Sequence, residues 1–341
     1  MFSGWIAGDS FAIDLGNTNT LLANESQILV SEPSYIVFDN DKNRVKAVGA
    51  AAYDIFEKNH ENLRPVKPLR WGVISDYDSA AAMIREMVNN TFSKSKRLRG
   101  FRNIISGVPF ATTEVERRAL RDALGQFNAR DIKLLFEPLA AAIGMGLNVQ
   151  EPSGKMIVDI GGGITEIVII SLSGVAAFYS TKVAGDSMTE DIQDYFRRYH
   201  QLYIGFRTSE RIKMQVGSVL EQPEDVPAPA YVTGRDLKEG IPVKLRTDHR
   251  EIHHILDPSF CSIEEAIINT LEVCPPELAS DIYGNGIHVT GGGAMLRGVR
   301  ERLEKTLSLP IHIDSDPLLS VSKGISKVLA RPEKSKAMLI N

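Results

Sequence analysis

The chain has 341 residues, which is enough for two domains or for one domain with two lobes. Hydrophobic residues make up 43% of it and charged residues 24%; these are globular proportions that exclude a disordered or fibrous chain. The net charge of −4 argues against a general nucleic-acid-binding protein, because such proteins are usually basic.

Neither a membrane span nor a secretory signal is predicted. No apolar run approaches the roughly 18 residues of a transmembrane helix. The start of the sequence, MFSGWIAGDS, lacks a basic region followed by a long apolar one. The two cysteines, Cys261 and Cys274, form no CxxC pair and predict reduced thiols in a cytosol.

The first predicted elements form a β-hairpin around an aspartate. The apolar run Phe11–Leu15 contains Asp14, a polar turn follows at 16–20, and a second apolar run occupies 21–23. Alternating residues at 27–48 predict further strands, and 58–70 predicts a surface connection. Later elements of this half are predicted as helix 79–91, strand 104–108, helix 112–127, strand 132–136 and a helix that opens at Glu137.

A second copy of the opening pattern follows Pro152-Ser153-Gly154, the best candidate for a domain boundary. The two copies read AIDLGNTNTLL and IVDIGGGITEIVII, so each has a strand, an aspartate, a Gly-containing turn and a second strand. This internal repeat predicts two lobes of related fold. Further helices are predicted at 187–201, 207–219, 263–273, 298–307 and 317–330, with strands at 287–290 and 311–313, which gives an α/β fold class.

The two Asp-containing turns predict nucleotide binding when they are taken together. Gly16 allows the backbone to approach a phosphate, and Asp14 suits Mg²⁺ held through water. Alone, the first turn favours an ordinary polar hairpin. The second turn has three consecutive glycines, 161–163, beside Asp159. Glycines between strands lose much conformational entropy on folding, so a function is expected to account for them. The pair therefore predicts a polyphosphate bound from both sides with one Mg²⁺.

Three other features each have two interpretations. Glu137 at a helix start is explained by the helix dipole, or by orientation of the attacking water in phosphoryl transfer. Glu210 and Lys213 form either an exposed ion pair or a ribose contact. The glycines at 291–293 form either a helix-entry loop or a backbone surface for a flat base.

Two segments are candidates for contact with a membrane. Phe2 and Trp5 share one face if the N-terminus is helical. The segment 92–102 carries five cations and no acid, with Leu98 and Phe101 between them. A solvated basic loop is the alternative for this second segment, and a nucleic-acid contact is a weaker one.

Taken together, these motifs resemble the actin-type ATPase superfamily and, within it, the MreB family of bacterial rod-shape-determining actin homologues. The resemblance runs nearly end to end. Its most specific strings are VDIGGGITEIVIISLSG, RTSERIKMQVGS and PPELASDIYGNGIHVTGGGAMLRG, with IDLGNTNTLL, TEVERRALRDA and EPLAAAIG in the first half.

The resemblance implies two related lobes, each with a mixed sheet flanked by helices, and ATP or ADP with Mg²⁺ in the cleft between them. The lobes are expected at 1–150 and 151–341, with smaller subdomains at about 32–75 and 186–250. A slow ATPase coupled to filament dynamics is the expected activity.

The resemblance also assigns site residues, which fall into four sets. Catalysis is assigned to Glu137, Asp159 and Thr165. Nucleotide binding is assigned to Asp14, Gly16, Asn17, Thr18, Asn19, Gly161, Gly162, Gly163, Glu210, Lys213, Gly291, Gly292 and Gly293. Mg²⁺ is assigned to Asp14 and Asp159 through water, and membrane contact to Phe2, Trp5, Leu98 and Phe101.

Three positions depart from the family pattern. Ile164 stands where the family usually has a Thr beside the water, so hydrolysis is expected to be slow. Asn17 replaces a usual Thr, and its amide can still serve a phosphate. Phe206 replaces a Glu before the nucleotide-contacting helix, which would loosen binding if that Glu contacts the nucleotide.

By resemblance, the expected partners are further copies of the chain in paired protofilaments, the inner membrane surface and membrane-embedded cell-elongation proteins, with no nucleic acid. The expected location is the cytoplasm, peripheral at the inner face of the membrane, where the family guides cell-wall synthesis. The alternatives are a non-hydrolysing scaffold paralogue, a small-molecule kinase of the same superfamily, and a chaperone ATPase lobe.

Overall fold

The computed structural model describes residues 9–42, 44–58 and 61–340, the side chain of Lys334 excepted. The chain divides into two compact units. Unit 1 contains the described residues up to Glu151, residues 172–174 and the described residues from Leu319 onward; unit 2 contains Pro152–Ser171 and Val175–Leu318. None of the helices in these ranges is long and apolar enough to cross a membrane.

The first half of the chain is rich in short strands. Its strands are β1 (Phe11–Leu15), β2 (Asn19–Ala23), β3 (Ile28–Pro33), β4 (Ile36–Asp39), β5 (Arg44–Val48), β6 (Leu63–Val66), β7 (Leu69–Arg70), β8 (Val73–Ile74), β9 (Asn103–Val108) and β10 (Asp131–Phe136). Its helices are α1 (Gly49–Ile55), α2 (Tyr77–Thr91), α3 (Lys94–Arg99), α4 (Glu114–Gly125) and α5 (Glu137–Gly144).

The second half has longer helices. Its strands are β11 (Lys155–Ile160), β12 (Thr165–Ser171), β13 (Gly174–Thr181), β14 (Leu202–Tyr203), β15 (Ala230–Asp236), β16 (Pro242–Thr247), β17 (Ile287–Thr290), β18 (Ile311–Ile313) and β19 (Leu339–Ile340). Its helices are α6 (Gly185–Tyr199), α7 (Phe206–Val216), α8 (His249–Glu272), α9 (Pro276–Asn285), α10 (Val299–Leu307) and α11 (Ser320–Ala330), and 3₁₀ turns lie at Gly292–Met295 and Pro332–Met338.

The main sheets of the two units share one connectivity. In unit 1 the strand order is β19-β10-β9-β1-β2-β3, with smaller sheets β5-β4-β6 and β7-β8. In unit 2 it is β13-β12-β11-β17-β18, with a smaller sheet β14-β15-β16. In both main sheets an antiparallel hairpin (β1–β2, β11–β12) pairs in parallel with a later strand (β9, β17). The α/β fold class predicted from the sequence is confirmed.

Each unit has its own hydrophobic core. In unit 1, Phe11 and Ile13 of β1 are fully buried beneath Ile84 of α2 and Leu124 of α4. In unit 2, the apolar residues of β11 and β12 pack against Phe196 of α6 and Phe260 of α8. The amphipathic periods of α2 and α4 thus bury the faces that their sequences predict.

Several boundaries differ from the sequence prediction. Helix α8 spans 24 residues rather than 263–273, because the side chain of Asp248 caps it by accepting from the amides of Arg250 and Glu251. The segment 94–99, interpreted as a loop, forms the short helix α3. Residues 319–340, assigned by prediction to the second lobe, belong to unit 1, since α11 packs closely on α5.

The α5–α11 contact depends on two glycines. A Cβ atom at Gly324 would lie 2.9 Å from the Cα of Ala140 and overlap its carbonyl oxygen, and a Cβ at Gly144 would lie 2.7 Å from the carbonyl carbon of Ser320. The neighbouring atoms are backbone, so they cannot rotate away. The two helices can therefore approach this closely only because each carries a glycine at the contact.

We expect Gly324→Ala to lower the free energy of unfolding by about 3 kcal/mol, because the new methyl group must separate α5 from α11. Gly125→Ala is the matched control, since a Cβ atom there meets nothing within 4 Å, and it should leave stability unchanged or slightly raised. Urea unfolding of both variants checks this. Equal urea midpoints for the two variants would contradict the prediction, because they would show that α5 and α11 can move apart without loss of stability.

Candidate functional site

The first Asp-containing turn is held in shape by hydrogen bonds within unit 1. The amide of Gly16 donates to the carbonyl of Asn19 at 3.1 Å, and Ser34 Oγ donates to the carbonyl of Gly16 at 2.6 Å. The buried side chain of Asn17 accepts from the amide of Gly72 at 3.0 Å. The turn is thus fixed on both sides before any ligand binds.

Asp14 carries a buried carboxylate at the end of β1. Its side chain is 9% exposed and accepts a hydrogen bond of 2.9 Å from Ser322 Oγ on α11. Burial raises the pKa of Asp14 from 3.8 to about 6, against the opposing effect of the Ser322 hydrogen bond. A buried carboxylate that resists ionisation is stabilised by a nearby cation, so the residue fits a site for a hydrated Mg²⁺.

Glu137 lies at the same sheet edge as this turn. β1 and β10 both run parallel to β9, with Ile13 and Leu134 each level with Ser106. The carboxyl ends of parallel strands meet at one edge, so the turn after Leu15 and Glu137 after Phe136 emerge together. Glu137 is half-buried at the start of α5. Unit 1 therefore brings a phosphate-type turn and a carboxylate to one edge.

The second Asp-containing turn supports the start of a helix in unit 2. The amide of Gly161 donates to the carbonyl of Ile164 at 3.0 Å, which closes the turn between β11 and β12. The amides of Gly185 and Asp186, at the start of α6, donate to the carbonyls of Gly161 and Gly162 at 3.0 and 2.6 Å. The start of α6 is thus held against the glycine turn, and its first two amides are satisfied by carbonyl oxygens of that turn.

The glycines after β17 border Asp159. β11 and β17 are parallel neighbours in which Asp159 lies level with Thr290. Gly291 has φ +83°, and a Cβ atom there would overlap the Asp159 carboxylate. Gly293 is buried against Ile160, whereas Gly292 is exposed. Close packing on β11 therefore explains the first and third glycines, and Gly292 remains the one that can present its backbone to a ligand.

Lys213 is a buried anchor rather than an exposed ion-pair partner. Its Nζ donates to Glu210 Oε2 at 2.7 Å, to the carbonyl of Gly185 at 2.7 Å and to Thr189 Oγ1 at 2.9 Å. The side chain is 7% exposed, and these three acceptors use all three ammonium hydrogens. Direct donation to a nucleotide would need one of them to be released. The ion pair instead holds the start of α6 against the glycine turn.

We expect Lys213→Met to lower the free energy of unfolding by about 2–3 kcal/mol and to weaken nucleotide binding. The variant keeps the apolar stem but leaves Glu210 and the carbonyl of Gly185 without their partner. Arg211→Met, on the exposed side of α7, is the matched control and should have little effect. Thermal unfolding without nucleotide, together with a nucleotide titration, checks both. Wild-type stability of Lys213→Met would contradict the anchor role.

Two predicted site residues do not lie where their roles require. Thr165, assigned to catalysis, is fully buried, and its hydroxyl proton is already donated to the carbonyl of Val183 at 2.7 Å. Phe101, assigned to membrane contact, is 3% exposed and packs edge-on against Phe11 at a ring distance of 4.8 Å. Both side chains stabilise the fold.

The other candidates for membrane contact have different outcomes. Leu98 is 78% exposed on α3, beside the exposed cations Lys94 and Arg99. Phe2 and Trp5 lie outside the described residues. Of the two candidates that the structure describes, Leu98 on α3 is the one that presents an apolar side chain among cations in the way the prediction requires.

Sequence reasoning missed the hydroxyl donors that support the first turn. Ser34 and Ser322 lie far from it along the chain, the latter 308 residues from Asp14. A serine has no local pattern that indicates its distant acceptor, so no signal in one sequence could have found these partners.

Comparison with known proteins gives consistent matches over nearly the whole chain. The MreB/Mbl protein family model matches residues 8–337. The chain is 38% identical over 333 residues to the cell shape-determining protein MreB of Escherichia coli K12, covering 96% of this chain and 95% of the relative. It is 34% identical over 328 residues to the cell shape-determining protein Mbl of Bacillus subtilis 168, covering 94% and 96%.

Solved structures agree with these sequence matches. MreB5 of Spiroplasma citri bound to AMPPNP has a TM-score of 0.91 and 33% identity, with 97% of this chain and 98% of that chain covered. The same protein bound to ADP has a TM-score of 0.89. A MamK double helical filament, with a TM-score of 0.75 and 20% identity over 95% and 99% of the chains, shares the fold.

Proposed function

The chain belongs to the MreB/Mbl family, and on that premise we propose that it is an actin-like filament protein that determines rod cell shape. The observation that carries the proposal is a family match over nearly the full length in a chain that keeps both Asp-containing turns. The relatives at 34–38% identity bear the name cell shape-determining protein. Neither the kinase nor the chaperone alternative has a matching relative among them.

We propose ATP or ADP with Mg²⁺ as the ligand. The related MreB5 has been solved with AMPPNP and with ADP, and each unit here contributes a glycine turn beside an aspartate. Asp14 and Asp159 would hold Mg²⁺ through water, and the ion would neutralise phosphate charge. The backbone of the two turns and the Asn17 side-chain amide would position the phosphates.

We further propose that the protein is a slow ATPase in which Glu137 orients the attacking water. A carboxylate at the sheet edge that holds the phosphate turn can accept a hydrogen bond from water and align it. Ile164 offers that water no hydrogen bond, so the scaffold with little or no turnover stays as the second candidate. The hydrolysis would time how long a filament persists.

The polymer would form by head-to-tail contact between copies, because heterologous contacts that do not close generate filaments. Paired protofilaments are the finer form of this proposal. We also propose attachment to the inner face of the cell membrane. The exposed part of α3 supports it, because Lys94 and Arg99 flank the exposed Leu98, and each cation near an anionic leaflet gains about 1 kcal/mol. Membrane-embedded elongation proteins are the remaining partners that we propose.

These proposals are tested by sedimentation with anionic liposomes, with and without ATP and Mg²⁺, followed by negative-stain microscopy of the pellet. We expect nucleotide-dependent filaments on lipid. Leu98→Glu should reduce lipid pelleting and leave filament formation in solution intact, whereas Met214→Glu, at a side chain of similar exposure in unit 2, should change neither. Monomers under every condition would reject the polymer; filaments that never pellet with lipid would reject the membrane contact.

A further inference from the structure

The small sheet of unit 2 has one buried and one exposed face. Along β15, Ala230 and Val232 are buried and face α7 and the core, whereas the alternate residues Tyr231 and Thr233 are exposed. β16 alternates in the same way. The exposed side carries what we call the cationic face, which consists of Tyr203, Tyr231, Arg235, Lys244 and Arg246.

The cationic face combines two half-exposed rings with three cations. Lys244 Nζ lies 4.2 Å from the ring centre of Tyr231, and Arg235 Cζ lies 5.7 Å from that of Tyr203. Arg246 is paired with Tyr231 across the strands. Across the part of the chain that the structure describes, none of the three cations is in ion-pair contact with a carboxylate. The face thus presents uncompensated positive charge to solvent.

An acidic segment of matching charge immediately precedes β15. We define it as residues 221–229, EQPEDVPAP, in which Glu221, Glu224 and Asp225 are exposed. None of the three carboxylates is ion-paired in the described structure. Val226, the next residue, is 59% exposed. The three prolines restrict the backbone of this stretch, which lowers the entropy that it loses on binding.

We propose that the cationic face of one copy binds the acidic segment of a second copy. Three carboxylates then meet three cations, and Val226 packs on the exposed parts of Tyr231 and Tyr203. Because both surfaces lie on the same unit, two copies related by a twofold axis can exchange the contact reciprocally. The association needs no nucleotide and therefore goes beyond the filament proposed above.

The charges favour this occupant over a nucleic acid. The acidic segment offers the same number of charges as the face, and the chain as a whole is negative. Exposed ion pairs are individually weak and salt-screened, so the contact is a weak one that gains strength where many copies are aligned.

Sedimentation velocity of the full chain without nucleotide, at low and at high salt, tests the contact. We expect reversible self-association at low salt that is lost as salt rises. Lys244→Glu with Arg246→Glu should weaken it at least about tenfold, and so should Glu224→Lys with Asp225→Lys. Arg44→Glu with Lys46→Glu, at two exposed side chains of β5 in unit 1, makes the same change of charge outside both surfaces and should leave it intact.

The decisive experiment mixes the two charge-reversed variants, one with the Lys244→Glu and Arg246→Glu changes and the other with the Glu224→Lys and Asp225→Lys changes. Each alone repels itself, but the acidic face of one then meets the basic segment of the other, so the mixture should associate as the wild type does. No recovery in the mixture would overturn the pairing, as would wild-type association of either variant alone. Binding of the wild-type face to single-stranded DNA in preference to a second copy would also overturn it. ATP-dependent filaments are scored separately, so failure of either proposal is visible without the other.

Discussion

Replacing Asp14 with asparagine is expected to weaken binding of ATP with Mg²⁺ and, at the same time, to stabilise the nucleotide-free protein at neutral pH. The carboxylate is 9% exposed, and burial raises its pKa to about 6 from 3.8. At pH 7 it is therefore ionised in a place that disfavours charge. Asparagine removes the charge and can still accept the hydrogen bond from Ser322.

The sign of the pH dependence follows from the direction of this shift. The folded state binds the Asp14 proton more tightly than the unfolded state does, so the group contributes stability at low pH. That contribution is lost as pH rises from about 4 through about 6. Asp14→Asn does not titrate there. The variant should match the wild type near pH 4 and exceed it by about 2–3 kcal/mol at pH 8.

Nucleotide binding should change in the opposite sense. With the charge that we propose faces Mg²⁺ removed, affinity for ATP with Mg²⁺ should fall about 10–100-fold. Urea unfolding at pH 4.5 and pH 8 without nucleotide measures the first effect, and titration with a fluorescent ATP analogue measures the second. Both effects would follow if the Asp14 charge destabilises the nucleotide-free protein and strengthens binding of ATP with Mg²⁺.

Asp236→Asn is a control of opposite sign. Backbone amides of Glu239 and Lys238 donate to Asp236 and lower its pKa, so its contribution to stability is present above the unfolded pKa and lost as pH falls. Its replacement should not stabilise the protein at any pH. If Asp14→Asn were less stable than the wild type at pH 8, the buried charge would be stabilising, and the cation requirement inferred from it would be wrong.

The parts of this site that the sequence predicts are those with local causes. Both Asp-containing turns follow from an apolar strand, an aspartate and glycines within a few residues, and the repeat of that pattern indicated two related units. Burial of Phe101 has no such cause, because Phe11, Phe92 and Phe127, which surround it, come from separate elements. Its basic neighbours in sequence suggested a surface residue instead.

Distance along the chain explains the other differences too. Helix α11 belongs to unit 1 because Gly144 and Gly324 allow it to contact α5. Nothing in the sequence indicates that two glycines so far apart along the chain lie at one helix contact. Lys213 looked like one half of an exposed i, i+3 pair, since its partners Gly185 and Thr189 lie on another helix. The sequence therefore predicts local turns and helix ends better than it predicts contacts between residues that are distant along the chain.

Replacing Glu137 with glutamine is expected to leave ATP binding nearly unchanged and to slow hydrolysis about 100-fold. Glutamine keeps the size of the side chain, but its neutral amide is a weaker acceptor for the water that must be aligned. Filaments formed with ATP should therefore persist longer. Phosphate release under single-turnover conditions measures the rate, and light scattering measures filament lifetime.

Two further variants separate catalysis from other roles of an acid at a helix start. Glu114 also lies in the first turn of a helix, α4, so Glu114→Gln tests the effect of the helix dipole alone and should not change turnover. Ile164→Thr restores a hydroxyl that can hydrogen-bond the water, and it should speed hydrolysis in the wild type. It should do so far less in Glu137→Gln, because the water then lacks its main acceptor. Unchanged turnover in Glu137→Gln, or equal acceleration by Ile164→Thr in both backgrounds, would remove Glu137 from the mechanism and leave the scaffold as the better description.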